Sequence, residues 1–238
     1  MARRLCLGTA YDIPMSAVAA GLVPDKEWKQ RVRDQSWRIG DTVNVSIGQG
    51  DILTSPLQLA VMSARIATGR SIEPRLVRRI DGVETPSRAG GDLGLDRTHL
   101  RWIWEAMHSV MNDRRGTAYG SRVVVDGLEL AGKTGTAQVL NRVVRNDEVP
   151  WEERDHALFV NFAPYDTPKI AVSVVVEHGG GGSSAAAPIG RDVTLQALYG
   201  ETPPLDAYPS LQRSRIQAQQ ERLERERRQR RAEGRSRA

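Results

Sequence analysis

Residues 128–178 place the tightest limit on how this chain folds. They hold strand-length segments at 128–139, 156–164 and 169–178. Only Pro164-Tyr165-Asp166-Thr167-Pro168 separates the last two. A parallel pair needs a crossover of about a dozen residues or more, whereas an antiparallel pair returns through a short turn. The spacing therefore predicts an antiparallel meander with flanking helices, an α/β fold.

That prediction decides between two readings of the first segment. Gly127-Leu128-Glu129-Leu130-Ala131-Gly132-Lys133-Thr134 satisfies the phosphate-loop pattern G-x-x-x-x-G-K-[ST]. A phosphate loop, however, is a Gly-rich polar turn that opens a helix. Here the four intervening positions are mostly apolar and lack glycine, and Thr134-Gly135-Thr136 makes a poor first helical turn. Phosphate-loop folds are also parallel with crossover helices. Nucleotide binding stays the minor alternative, separable by equilibrium ATP binding.

As an extended strand bordering a cleft, the same residues suit acyl transfer. Lys133 supplies positive potential for a substrate carboxylate and for proton traffic at a nucleophile. The hydroxyls of Thr134 and Thr136 can hydrogen-bond that carboxylate. Gly135 lets a substrate backbone approach closely. The N–H of Thr136 stands where an oxyanion donor is needed.

Composition narrows the class further. The 238 residues fit one large domain or two small ones. No apolar run reaches 18 residues, and Met1–Leu7 has a basic start without an apolar stretch behind it. Cys6, the single cysteine, excludes an intrachain disulfide and a thiolate metal cluster, and reads as an incidental thiol near a frayed end. Of 34 basic and 29 acidic residues, 10 Arg and 4 Glu lie from Leu211 onward, leaving 24 against 25 elsewhere. The body is near neutral and the excess charge sits in the tail. That tail lacks aromatics and pairs Glu221 with Arg225 and Glu224 with Arg228 at helical spacing, which favours a solvated charged helix over nucleic-acid binding. His99, His108, His156 and His178 show no ligand spacing, so no metal site is expected.

Other elements are legible from caps and periodicity. Asp25 caps a short helix through Val32. Asp41–Ile47 alternates polar and apolar and reads as a strand. Ser55-Pro56 opens a helix with Leu57, Ala60, Val61, Ala64 and Ala67 on one face, ended by Gly69. Residues 75–80 read as a short exposed strand. Asp96 starts a helix with Leu100, Ile103, Trp104, Met107, Val110 and Met111 as a core stripe. Gly179–Gly182 reads as a flexible turn framing the groove, and Ala187-Pro188 opens a closing helix to about Leu198.

Several motifs occur in one order: Gly21-Leu22-Val23-Pro24, Gly40-Asp41-Thr42, Ser46-Ile47-Gly48-Gln49-Gly50-Asp51, Thr54-Ser55-Pro56-Leu57-Gln58-Leu59-Ala60, Ala131 to Val139, Asp155 to Val160, Phe162-Ala163-Pro164-Tyr165 and Glu177-His178-Gly179-Gly180-Gly181-Gly182-Ser183. In this order they resemble the C-terminal half of the transpeptidase domain of class B penicillin-binding proteins, of the penicillin-binding protein 2 type. The resemblance implies the β-lactamase/transpeptidase fold with its N-terminal half missing. It divides the chain into an unrelated leader (1–7), the domain part (8–200), a Pro-rich linker (201–210) and an Arg-rich tail (211–238).

It further implies a peptidoglycan D,D-transpeptidase that cross-links stem peptides through an acyl-serine in cell-wall elongation. Lys133, Thr134, Gly135 and Thr136 would bind substrate, with no cofactor. The implied ligands are stem peptide and β-lactams, and the implied partners are elongation-machinery membrane proteins. The family is inner-membrane anchored with a periplasmic domain; made as written, this chain is expected to stay cytoplasmic. The family's Ser-x-x-Lys and Ser-x-Asn motifs are absent: the residues three before each Lys are Val23, Lys26, Leu130 and Asp166, and no Ser stands two before any Asn. No catalytic residue is assigned, and inactivity alone, a non-catalytic remnant and homo-association through uncovered core faces are the expectations.

Overall fold

A computed structural model describes residues 1–86, 90–140, 142 and 145–235. Its elements are α1 (Lys26–Arg33), α2 (Ile39–Ser46), α3 (Pro56–Thr68), the two-residue strands β1 (Arg79–Ile80) and β2 (Val83–Glu84), α4 (Arg97–Asn112), β3 (Ala131–Ala137), β4 (His156–Ala163), β5 (Ile170–Val176), α5 (Ala187–Tyr199) and α6 (Arg213–Arg235).

The meander forms as the short turn requires. The sheet order is β3-β4-β5, and both pairings are antiparallel. Lys133 lies opposite Val160, Gly135 opposite Leu158, and Phe159 opposite Val174. Residues alternate across a strand, so central β4 feeds two cores. Phe162 packs with Ala131, Ala67 of α3 and Met107 of α4. Phe159 points to the other face and joins Leu130, Ala187 and Leu195. The sheet is thus sandwiched between α3 and α4 on one side and α5 on the other.

Helix ends follow their caps. The carboxylate of Asp25 accepts the N–H of Trp28 at 2.9 Å. Ser55 Oγ accepts the N–H of Gln58, and Gln58 Oε1 accepts the N–H of Ser55 at 2.9 Å, a reciprocal box. Asp96 caps α4, and Gly69 closes α3 in the left-handed region. The α4 stripe buries Leu100, Met107 and Met111, but Ile103 is exposed, contrary to expectation.

Four further expectations need correction. Asp41–Ile47 is not a strand: Asp41–Ser46 belong to α2 and Ile47 is its C-cap. A strand needs a neighbour for its backbone groups, and here local bonding wins. The Asp41 carboxylate accepts the N–H of Arg38 at 2.6 Å, capping the helix, and also holds the Lys29 ammonium at 2.6 Å. Cys6 is buried, and its end of the chain is tied: Arg65 donates to the carbonyl of Arg4 at 2.7 Å. The exposed strand over 75–80 shrinks to Arg79–Ile80 in a hairpin with Val83–Glu84. The prolines of 201–210 do not make a free linker, because Ala207 and Tyr208 are buried in the α5 core beside Ile216 of α6. Beyond that contact α6 is an exposed charged helix, with Glu224 and Arg228 paired at 3.6 Å.

Candidate functional site

Strand β3 is the edge of the sheet, and its free side borders the largest described cavity, about 1000 Å³. Lys133, Thr134, Gly135 and Thr136 all line it. The sequence-predicted residues are therefore brought together in one wall. Facing them are the 47–54 loop, Leu59 and Met62 of α3, and the glycine loop at Gly181–Ser183.

The phosphate-loop reading fails on this geometry. Lys133 sits inside an extended strand that continues to Ala137, antiparallel to β4, so no helix N-terminus follows it. The Lys133 ammonium bends back to the carbonyl of Thr134 at 2.5 Å, in the open cavity wall.

Glycines set the wall's thickness. A Cβ on Gly182 would overlap the carbonyl oxygen of Leu158 and stand 2.5 Å from that of Gly135. Only a glycine lets the loop lie flat on the strand. The loop is framed as expected but is not loose. The N–H of Gly180 donates to the carbonyl of Asp155 at 2.8 Å. The N–H of His178 donates to Nδ1 of His156 at 2.9 Å, and the two rings meet edge to face at 4.7 Å. Nδ1 of His156 thus serves as a hydrogen-bond acceptor at the cavity rim.

Two contacts were not found by sequence reasoning. Gln49 reaches across the cavity mouth and donates from Nε2 to the carbonyl of Thr136 at 3.3 Å. The hydroxyls of Thr117 and Thr134 are 3.0 Å apart. Gln49 lies within a family-like motif, so the resemblance could have flagged it. Nothing in the sequence links position 117 to 134.

His99 and His108 are spent on ring contacts with Trp102 and Tyr165. Among the described residues, no three His, Cys, Asp or Glu side chains gather as a metal site. Among the same residues no helix is long and apolar enough to cross a membrane.

The sequence profile of the penicillin binding protein transpeptidase domain matches residues 1–195. The chain belongs to this transpeptidase family. The matched span takes in residues 1–7, set apart above as a leader. Among similar proteins is the peptidoglycan D,D-transpeptidase MrdA of Acinetobacter baumannii, 38% identical over 194 residues, 77% of this chain and 28% of that protein. The MrdA of Haemophilus influenzae is 34% identical, over 84% of this chain and 32% of its own length. The chain therefore spans about a third or less of those relatives' length.

Solved structures agree on the fold. PBP2 of Pseudomonas aeruginosa, in complex with WCK 5153, superposes with a TM-score of 0.69 at 36% identity, over 87% of this chain and 46% of that one. PBP2 of Helicobacter pylori, in complex with MreC, gives 0.69 at 33% identity, over 83% and 34%.

Proposed function

We propose that this chain forms the carboxylate-binding and oxyanion side of a peptidoglycan D,D-transpeptidase site. The observation that carries the reading is β3 itself, an edge strand presenting Lys133, Thr134, Gly135 and Thr136 to one large cavity. Lys133 attracts the terminal carboxylate of a stem peptide or the carboxylate of a β-lactam. Thr134 and Thr136 donate hydroxyl bonds to it, and the N–H of Thr136 faces the oxygen that turns negative during acyl transfer. The relatives named peptidoglycan D,D-transpeptidases support the substrate class.

The family's nucleophile motif Ser-x-x-Lys and its Ser-x-Asn partner are both missing from this sequence. Loss of the nucleophile costs on the order of 10⁶ in kcat in a serine hydrolase. The chain alone thus forms no acyl-enzyme. Incubation with a fluorescent penicillin followed by a denaturing gel checks this; a covalent band on the chain would overturn it.

The partners that go with this role are membrane proteins of wall elongation, at the periplasmic face of the inner membrane. Support comes from the solved complex of a similar PBP2 with MreC. A remnant acting through contact alone is the second reading, favoured by one observation. Ile39, Val43 and the C-cap Ile47 stand four residues apart on α2 and its end, and Ile39 is 81% and Ile47 69% exposed. Such a stripe promotes self-association. Sedimentation should show it, and Ile39→Asp with Ile47→Asp should return the chain to monomer.

A further inference from the structure

We propose that Thr117 is a positioning residue for the β3 site. Its hydroxyl directs that of Thr134, and so fixes the donor offered to a carboxylate beside Lys133. The inference rests on the carboxylate-binding reading above.

The two oxygens are 3.0 Å apart, and both residues line the cavity. A threonine hydroxyl has one proton and two acceptor lone pairs. An unguided Thr134 could spend its proton on a neighbouring oxygen. When Thr117 donates into Thr134, the Thr134 proton must turn elsewhere. A carboxylate held by Lys133 then completes a chain running from Thr117 through Thr134 to the anion. Bonds in such a chain polarise one another. A neutral carboxamide recruits less from it, because the anion is what makes the terminal bond strong.

The placement of Thr117 does not depend on its own hydroxyl. A Cβ on Gly116 would overlap the carbonyl oxygens of Ser109 and Val110, so the turn is seated on the end of α4. Ala118 is buried in the α5-side core, and its N–H donates to the carbonyl of Val110 at 3.1 Å. Before the turn, the Asp113 carboxylate accepts the N–H of Arg115 at 2.8 Å. Asn112 ties the same helix end to the residue just before β3, donating from Nδ2 to the carbonyl of Leu130 at 3.0 Å. Glycine and alanine anchor the turn on either side, and the residue between them is turned into the cavity. Thr117→Val therefore removes the hydroxyl and keeps the shape, whereas Thr117→Ser keeps the hydroxyl.

The test uses the full chain labelled with ¹⁵N and ¹³C. The probe is a diacetylated lysyl-D-alanyl-D-alanine, compared with its C-terminal amide, and the amides of Gly135 and Thr136 are followed by NMR. Thr117→Val should weaken carboxylate binding about three- to tenfold, as loss of one hydrogen bond to a charged acceptor implies. It should leave amide binding near wild type, and Thr117→Ser should restore the difference. Without ligand, the side-chain couplings of Thr134 should report one rotamer in wild type and Thr117→Ser, and averaging in Thr117→Val.

Equal carboxylate affinity in wild type and Thr117→Val, with Lys133→Ala weakened, would overturn the role of Thr117 and leave the site reading standing. So would a single Thr134 rotamer in all three proteins. Wild type that binds neither probe would overturn both.

Discussion

The sheet with α5 and the first 54 residues are built by opposite means. Around Phe159, Leu130 and Leu195 the chain is held by apolar contact, and these side chains are fully buried. In the N-terminal stretch α2 buries no residue, and α1 buries only Lys29. That stretch is held by polar hands reaching out of α3. Gln58, fully buried, donates to the carbonyls of Thr9 at 2.9 Å and Ala20 at 2.7 Å. Arg65 reaches the carbonyl of Arg4 in the same way. Apolar burial is nondirectional and tolerates small shifts, whereas buried hydrogen bonds are costly to orphan. The cavity lies between the two regions, so its β3 wall is firm and its 47–54 wall is hung on a few bonds.

The largest effect should come from Phe159→Ala, which empties the centre of the apolar region and costs about 3–5 kcal/mol. Ile39→Ala, in exposed α2, should stay within about 0.5 kcal/mol. Chemical denaturation of both variants measures the contrast; similar losses would erase the distinction between the regions.

Gln58→Ala comes next. It leaves the carbonyls of Thr9 and Ala20 without their donor, at about 1–3 kcal/mol for each group orphaned. Amide exchange should rise over residues 9–25 while β4 keeps its protection. Uniform loss of protection would mean that the segment and the sheet open as one unit.

A smaller change belongs to the seam. Gly182→Ala must push the glycine loop off Leu158 and Gly135, an overpacking cost of about 1–3 kcal/mol. Its signature should be local, shifting the amides of Gly135 and Thr136 more than those of β5. Binding of a carboxylate probe at β3 should weaken in parallel.

Acid and alkali should loosen the regions separately, with the smallest effect. Contact with the Arg3 guanidinium holds the Asp25 carboxyl below its usual range, and the Lys29 ammonium does the same for Asp41. Such groups stabilise the fold above the unfolded value of about 4, and that contribution is lost as pH falls through the lower folded one. Exchange in α1 and α2 should therefore speed first in acid. Burial instead pushes the Tyr208 phenol up to about 12. Its contribution is complete below the unfolded value of about 10 and is lost as pH rises through the folded one. The contact between α5 and α6 should open at that end. Simultaneous opening of α1 and α6 at either extreme would break the comparison.

The features legible in the amino-acid order alone are those settled within a few residues. Asp25, Ser55 and Asp96 mark helix starts because a cap bonds N–H groups two or three positions away. The short turn at 164–168 forces β4 and β5 antiparallel because no crossover fits. Lys133, Thr134, Gly135 and Thr136 could be placed on a strand for the same local reasons. The tertiary structure decided the rest. Val43, Val45 and Ile47 alternate like a strand, yet Val43 and Val45 lie in α2 and Ile47 caps it, because Asp41 stands three residues after Arg38 and accepts its N–H. The prolines before Tyr208 look like linker, yet the residues after them complete the core under α5. Polar Gln58, Ser63 and Arg65 are buried on α3 because their partners are carbonyls of distant segments. Thr117 meets Thr134 only because Gly116 seats its turn against α4. Contacts across such separations leave no periodic trace in the sequence, since each depends on where a whole element docks.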